Sequence, residues 1–358
     1  MKNKKFLFFG FFDKGYSRNR VLIKGAERLG HNVILCGIDP KKYGTFSKYI
    51  ALYKEYRKIR SEEFDYIIVA FPGHNVVWLA FLLFGRNIIF DMFVSLYNSE
   101  IEDRKSAHPL SLKAFYYWFL DWYSVLLPKT VLLETQTHIR FLSKRFSSLK
   151  KKALCVYVGS DDEAVYPKEE VGNDKFIVHF HGTGIPLQGI TYIIDAAKEL
   201  QQEKQVVFHI YGNNGKGVYK EAEEKVKEAG LSNVIFFERF SYEDMSSVLA
   251  KADVVLGIFG VTTKAQNVIP NKVFEGWAAQ KPVITADTPA IREVFDDKNV
   301  TLCAPADGFG LARKIMFLYS NQEKRYFCAK SGYTMYKKRF TPEHIFKKFL
   351  EDIKKYYL

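Results

Sequence analysis

The stretch from Val254 to Phe295 reads VVLGIFGVTTKAQNVIPNKVFEGWAAQKPVITADTPAIREVF, a pattern of strand, glycine-bearing loop, helix, strand and loop. Val254 to Leu256 is a short apolar run suited to a buried strand, and Gly257 and Gly260 let the backbone turn sharply or approach a ligand closely. After Pro270, Asn271 is a good N-cap residue, and Val273, Phe274, Trp277 and Ala278 recur at helical spacing. The first turn of that helix offers free amide N–H groups and the positive end of a dipole, to which Lys272 adds a full charge. Such an end seats a phosphate or diphosphate. Glu275, one turn further in, does not favour phosphate, but a carboxylate there accepts two hydrogen bonds from a neighbouring diol such as a ribose. Phosphate on the helix end and diol on the carboxylate outline a site for a nucleoside diphosphate.

Outward from this stretch the chain alternates strands and helices. In the second half, Phe176 to Phe180 reads as a strand and Gly182-Thr183-Gly184 as a loop. Ile190, Ile193, Ile194, Ala197 and Leu200 then share a helical face, and Val206 to Tyr211 is the next strand. Gly212 to Gly217 is a glycine-rich loop before a charged helix ending at Gly230. Val234 to Phe237 is another strand, and Ser241 with Asp244 makes a capping-box start. His179 and His181 share one face of their strand, but a zinc pair wants a third ligand at suitable spacing and none is evident, so no metal is expected.

The first half has the same alternation. Phe6 to Phe9, Val33 to Cys36, Phe64 to Ala70, Asn87 to Phe90, Thr130 to Leu133 and Ala153 to Tyr157 are buried-strand candidates with helical patterns between them, as in a parallel sheet covered on both faces. The polar, turn-rich segment Val158 to Asp174 reads as the boundary between two doubly wound domains facing one cleft. Ligands in such sheets bind at the C-terminal ends of the strands, so the loops there are expected to line the cleft.

A chain of 358 residues is ample for two domains, each burying its own core. Apolar residues make up 47% and charged residues 26%, a globular composition. The formal net charge of +13 favours anionic partners, among them nucleotide sugars and phospholipid headgroups. The densest basic run, Arg140, Lys144, Arg145, Lys150, Lys151 and Lys152, carries no RNA- or DNA-binding motif, so no nucleic-acid partner is expected. Cys36, Cys155, Cys303 and Cys328 lie far apart and read as small core hydrophobes in a reducing cytoplasm. Met1 to Phe12 reads as a first strand rather than a signal peptide, because no small-residue cleavage site follows and Asp13-Lys14 breaks the run. No run reaches about 18 apolar residues, so none is expected to span a membrane. Leu112 to Leu127, LKAFYYWFLDWYSVLL, is either a buried helix or a face that docks peripherally on an anionic membrane.

The Val254–Phe295 stretch resembles the C-terminal half of the family 4 glycosyltransferases, which have the GT-B fold. That family carries two glutamates eight positions apart, the second in a helix that leads to a K/R-P-V-I strand. Here Glu275 matches the second glutamate and Lys281-Pro282-Val283-Ile284 the strand, while Asn267 stands where the family has its first glutamate. The wording Ile269-Pro270-Asn271-Lys272 is similar to a bacterial and archaeal subgroup of surface-polysaccharide enzymes, and Asn267 is read as variation within it. The resemblance covers residues 176–295 and is architectural before 160. It implies an α/β, GT-B protein of two doubly wound Rossmann-like domains facing a central cleft. Residues 1–160 would form an acceptor-binding domain on which helix 342–358 packs back, and residues 175–340 a nucleotide-sugar-binding domain. The implied reaction moves a hexose from a nucleotide diphosphate sugar to a glycan or lipid-linked acceptor with retention, without metal or further cofactor. The implied setting is surface polysaccharide or glycolipid synthesis, in the cytoplasm or on the inner face of the plasma membrane. A non-catalytic sugar-nucleotide-binding relative and a sugar-nucleotide epimerase are the alternatives.

By the same resemblance, Gly182, Thr183, Gly184 and Gln188 stand where the family presents its diphosphate-binding loop, with neutral groups in place of Arg and Lys. The diphosphate would then rely on backbone amides, on Lys272, and on Lys264 unless that is a solvated loop charge. Gly212 and Asn213 correspond to the loop near the nucleobase, or are an ordinary turn. Phe259, Gly260, Asn267, Asn271, Val273 and Glu275 complete the expected donor site. In the first half, Gly10 and Gly15 match the family's glycine loop, and Arg18 or Arg20 is either an anion contact or surface charge. The family has a histidine near the acceptor after the fourth strand; here Asp91, Ser95 or His74 would serve, and Asp91 is taken as the catalytic candidate beside Lys272 and Glu275.

Overall fold

The computed structural model describes residues 3–169, 172, 174–212, 215–295 and 299–357. The chain forms two compact units. The first comprises Met1–Ile101, Lys105–Gly159 and Phe340–Leu358, and the second comprises Ser160–Arg339 together with the short segment Glu102–Arg104.

The first unit holds strands β1 (Lys5–Gly10), β2 (Asn32–Gly37), β3 (Tyr66–Val69), β4 (Ile88–Phe93), β5 (Thr130–Leu133) and β6 (Ala153–Cys155). They form a six-stranded sheet in the order β2-β1-β3-β4-β5-β6, parallel at every pairing. Its helices are α1 (Ser17–Arg28), α2 (Ser47–Ile59), α3 (Val77–Phe84), α4 (Leu112–Leu126), α5 (Gln136–Arg145) and α6 (Leu149–Lys152). The second unit holds β7 (Phe176–His181), β8 (Val206–Tyr211), β9 (Val234–Phe237), β10 (Val254–Leu256), β11 (Val283–Ala286) and β12 (Thr301–Cys303), in the order β12-β11-β10-β7-β8-β9, again parallel. Its helices are α7 (Ile190–Glu199), α8 (Val218–Glu228), α9 (Met245–Ala250), α10 (Thr263–Asn267), α11 (Asn271–Ala278), α12 (Gly308–Ser320) and α13 (Gln322–Arg339). The final helix, α14 (Pro342–Tyr357), belongs to the first unit.

The inner strands β4, β5, β10 and β11 are buried along their whole length, as in a parallel sheet covered on both faces, whereas β8 alternates buried and half-buried residues. Phe6, Leu7, Phe8 and Phe9 of β1 are all fully buried, so the strand shows an unbroken apolar run instead of alternation. Strand β4 runs three residues beyond the expected Asn87–Phe90, through a bulge between Asp91 and Phe93 where Phe93 adopts φ +57°. Strand β12 and the short helix α10 were not expected from the sequence pattern. The expected N-cap at Asn271 is also displaced by one position: Pro270 occupies it, Asn271 is the first helical residue, and no side chain caps the helix. The segment Leu112–Leu127 forms α4 with Leu127 as its C-cap. One side buries Ala114, Leu120, Asp121, Ser124 and Val125, while Leu112, Phe115, Tyr116, Phe119 and Trp122 are exposed.

Helix α14 lies directly on α1. A Cβ added at Gly25 would meet Cβ of Phe346 at 2.6 Å and overlap the Pro342 carbonyl. Phe346 also contacts the Phe6 ring at 5.1 Å, so α14 reaches the first strand's side chains. Gly25→Val is therefore expected to cost about 1–3 kcal/mol through overpacking, read as a lower melting temperature, with faster amide exchange in α14.

Candidate functional site

In the second unit the strands end in loops that touch through their backbones. Gly212, after β8, has φ +104° and approaches the Gly182 carbonyl so closely that any Cβ would overlap it. Gly189 has φ +64°, and a Cβ there would lie 2.6 Å from the Gly260 amide nitrogen. Gln188, which is buried, fills the space between these loops. Its side-chain oxygen accepts the Gly184 amide at 3.0 Å, and its carbonyl accepts the Phe259 amide at 3.1 Å. The Tyr219 hydroxyl donates toward the carbonyls of Gly182 (3.0 Å) and Tyr211 (2.9 Å). Gly182, Gly184, Gln188, Gly212 and Gly260 thus meet, and Thr183 stands exposed between them.

Several roles read from the sequence change here. The Gly260 amide donates to the Leu187 carbonyl (3.1 Å) and the Phe259 ring lies in the core, so this loop binds its neighbour with groups that a ligand was expected to use. Gln188 likewise spends its side chain on the loop. Val273 is fully buried and its amide goes to the Pro270 carbonyl at 3.0 Å. Lys264 and Asn267 lie on α10, which Thr262 caps by accepting the Ala265 amide. Both are buried, so Lys264 is not a solvated loop charge, and the Asn267 amide donates back to the Thr263 carbonyl at 2.7 Å. Thr262 also donates to Asp103 at 2.7 Å. Asn213 lies outside the described residues.

At the start of α11, Lys272 is 6% exposed, with its ammonium over the Phe180 ring at 5.0 Å. Burial lowers its pKa to about 8, against the pull of Glu275 one turn on. It has no hydrogen-bond acceptor among the described residues. Glu275 is buried apart from an edge, and its Oε2 lies 2.9 Å from Nε2 of His181 at the end of β7. Nδ1 of His181 lies 2.9 Å from Nε2 of His179. Burial holds the His179 pKa well below its ordinary value. The sequence signal for this group was the His-Phe-His end of β7, which pairs with β10, the strand that leads to α11. Among the described residues no group of three or more His, Cys, Asp or Glu is arranged to hold a metal ion.

The candidates of the first unit are mostly interior. Gly10 ends β1 with φ +136°, and Gly15 closes a turn by donating its amide to Asp13 at 2.7 Å. Asp91 sits inside β4 rather than beyond it, wholly buried, and its carboxylate is taken by Nε and Nη2 of Arg18 at 2.8–3.2 Å. Arg18 is as buried as its partner and also donates to the Val156 carbonyl, so it is neither surface charge nor an open anion site. Ser95 donates to Asp121 at 2.6 Å, and His74 lies with Nε2 3.4 Å from the same carboxylate. Burial pushes Asp121 up to about 6 and His74 down to about 3. Asp91, Ser95 and His74, read from the sequence as candidates to serve near the acceptor, are thus side chains of the interior. Beside α4, Tyr97, Leu110, Phe115, Trp118 and Arg145 line an open cavity of about 370 Å³.

The profile of the family described as glycosyl transferases group 1 matches residues 174–321, most of the second unit. Sucrose-phosphate synthase from Thermosynechococcus elongatus superposes with a TM-score of 0.74 at 13% identity, over 99% of each chain. Anabaena Alr3699/HepE in complex with UDP and glucose gives 0.71 at 16% identity, over 99% of this chain and 100% of that one. A glycosyltransferase from Rickettsia africae ESF-5 gives 0.70 at 13% identity, over 99% of each. No curated protein sequence matches the chain. The two six-stranded parallel sheets with flanking helices are the GT-B fold of these structures.

Burial of His179 makes stability depend on pH. The folded state refuses a proton that the unfolded chain takes near pH 6.5, so protonation favours unfolding as pH falls below that value. The loss for one such group approaches about 1.4 kcal/mol per pH unit. The melting temperature of the wild type is expected to fall more steeply between pH 6.5 and 4.5 than that of His179→Gln, which lacks this proton.

Proposed function

We propose that the chain is a glycosyltransferase that moves a hexose from a nucleotide diphosphate sugar to a glycan or lipid-linked acceptor. The observation that carries this reading is the start of α11. There a buried ammonium without a counter-ion bond and a carboxylate one turn on stand in a unit that matches the group 1 glycosyltransferase profile. Lys272 and the helix end suit a diphosphate, and Glu275 suits the diol of the nucleoside. The solved structures of Alr3699/HepE hold UDP with glucose and UDP-glucose, which supports a UDP-sugar as the donor class to try first.

In the proposed reaction the bond from the sugar's anomeric carbon to the diphosphate oxygen breaks, and a bond to the acceptor oxygen forms on the same face. The acceptor's proton goes to the departing diphosphate, so the anomeric configuration is retained and no protein base or metal is needed. The protein's part is to hold the donor and to stabilise charge as it develops on the diphosphate. Under this reading the second unit binds the donor and the first the acceptor. Surface polysaccharide or glycolipid synthesis in the cytoplasm is the setting proposed from the family resemblance.

Docking of the first unit on the inner face of an anionic membrane belongs to the same proposal. Its support is the exposed aromatic side of α4 and the charge around it. Between 105 and 152 the acidic residues are Asp121 and Glu134, both buried, while Lys105, Lys113, Arg140, Lys144, Lys150 and Lys151 are exposed. Aromatic and basic side chains together suit an interface of anionic lipid. Among the described residues no helix is long and apolar enough to cross a membrane. A second reading, a non-catalytic sugar-nucleotide-binding relative, is favoured by the placement of Asn267, whose amide is bound within α10 where the family carries a glutamate.

Incubation with UDP-glucose and other nucleotide diphosphate sugars, with and without acceptor glycans, separates these readings: acceptor-dependent release of the nucleoside diphosphate supports transfer, and tight binding without release supports the non-catalytic relative. Glu275→Ala is expected to weaken nucleoside diphosphate binding tenfold or more, the loss of about 1.5–3 kcal/mol expected for a hydrogen bond to a charged group. Lys272→Met is expected to lower kcat by about 10²-fold or more while KM changes little, the pattern of a charge that acts in the transition state. Because the ammonium must be charged, wild-type turnover is expected to fall as pH rises through about 8, and the variant's residual turnover is not. Flotation with anionic vesicles is expected to carry the wild type, and to lose at least tenfold in bound fraction for the double variant Phe115→Ser, Phe119→Ser.

A further inference from the structure

Glu275 is not positioned by its helix alone. Strand β7 ends in His179, Phe180 and His181, and the alternation of a strand sets the two histidines on one face, with ring centroids 5.1 Å apart. They make a chain of two hydrogen bonds, His179 Nε2 to His181 Nδ1 and His181 Nε2 to Glu275 Oε2, each 2.9 Å. All three side chains are largely withdrawn from solvent. Nothing in the reaction proposed above uses either histidine.

The chemistry of the groups gives the chain a direction. An ionised carboxylate only accepts, so the His181 proton facing it sits on Nε2. In the neutral ring Nδ1 is then an acceptor, and His179 must donate to it from Nε2. Burial keeps His179 neutral, which leaves it free to carry its single proton on that nitrogen. One oxygen of Glu275 is thereby tied to the end of β7, and no hydrogen bond among the described residues occupies the other. A carboxylate held in this way meets a diol without first losing side-chain freedom.

We infer that His181 is a positioning residue for Glu275, oriented in turn by His179, and that the pair sets the preference of this site for a nucleoside with an intact ribose diol. The inference rests on the reading of Glu275 as the diol acceptor. The loops described above fix where β7 ends, and so place His181 within reach of α11.

Calorimetric titration with UDP, GDP and ADP, each against its 2′,3′-dideoxy counterpart, tests it. The wild type is expected to prefer the ribose form of the nucleotide it binds by at least tenfold. In His181→Phe, which keeps a ring against Phe240 but makes no hydrogen bond, that preference is expected to fall below threefold through weaker binding of the ribose form alone. His181→Gln retains a donor and is expected to recover most of the preference. If His181→Phe does not fold, His179→Phe serves, with an expected two- to threefold loss of preference; a histidine that merely packs would change the melting temperature and leave the ratio alone. Full preference in the folded variants overturns the role of the histidines and leaves the diol reading standing. No preference in the wild type overturns the diol reading itself, and this inference with it.

Discussion

In the second unit, backbone lies against backbone where no side chain fits. Gly212 over the Gly182 carbonyl and Gly189 against the Gly260 amide bring the loops after β7, β8 and β10 into contact. Glycine is required there twice over, for space and for positive φ. Once the loops touch, their amides and carbonyls must find partners in one another, and Gln188 completes the set between them. The cost is that several backbone groups that a sequence reading offers to a ligand are already spent. The gain is rigidity, for the loop that follows β7 is held by hydrogen bonds and close backbone contacts with its neighbours.

Lys272 differs from most other buried charges in the chain, including Lys281 of its own unit, which donates to the Ala250 carbonyl at 3.1 Å. In the first unit, three interior charges are answered inside the protein: Arg18 by Asp91, Lys152 by the carbonyls of Leu126 and Pro128, and Asp121 by Ser95 and two amides. Breaking such an arrangement leaves an uncompensated group and is costly, so these residues belong to the architecture. In the second unit, Lys272 is buried over an aromatic ring without an anion bonded to it. A cation in that state lowers its pKa and strengthens any interaction with an anion that reaches it. This contrast, more than the identity of the residues, separates structural charge from charge available for chemistry.

Most of the architecture was legible in the sequence because parallel strands covered on both faces are unbroken apolar runs, as in β1, β5 and β10. Strand β12 escaped because its three residues, Thr301 to Cys303, make no such run, and α10 because five residues carry too little periodicity. The helix start at Asn271 was legible to within one position, which is the ordinary uncertainty of a helix end. The site was only half legible. Lys272 and Glu275 follow from helix position alone, but Asp91 was read as the end of its strand and a catalytic candidate, since nothing local announces that β4 continues through a bulge, or that Arg18 in a distant helix faces it. His181 was visible as half of a pair, yet its partner Glu275 lies in a helix far along the chain, and only the pairing of β7 with β10 brings the two together.

Helix α14 completes the first unit although it is separated from β6 by the whole of the second. During synthesis, residues 160–339 must be added after β6 before Phe346 can reach Phe6 and cover the Gly25 side of α1. At about 5–20 residues per second that interval is on the order of ten to forty seconds. The unit made first is therefore finished last, and its nascent sheet has an apolar helix face open to chaperones or to other chains throughout that time, while the unit translated in between can already close.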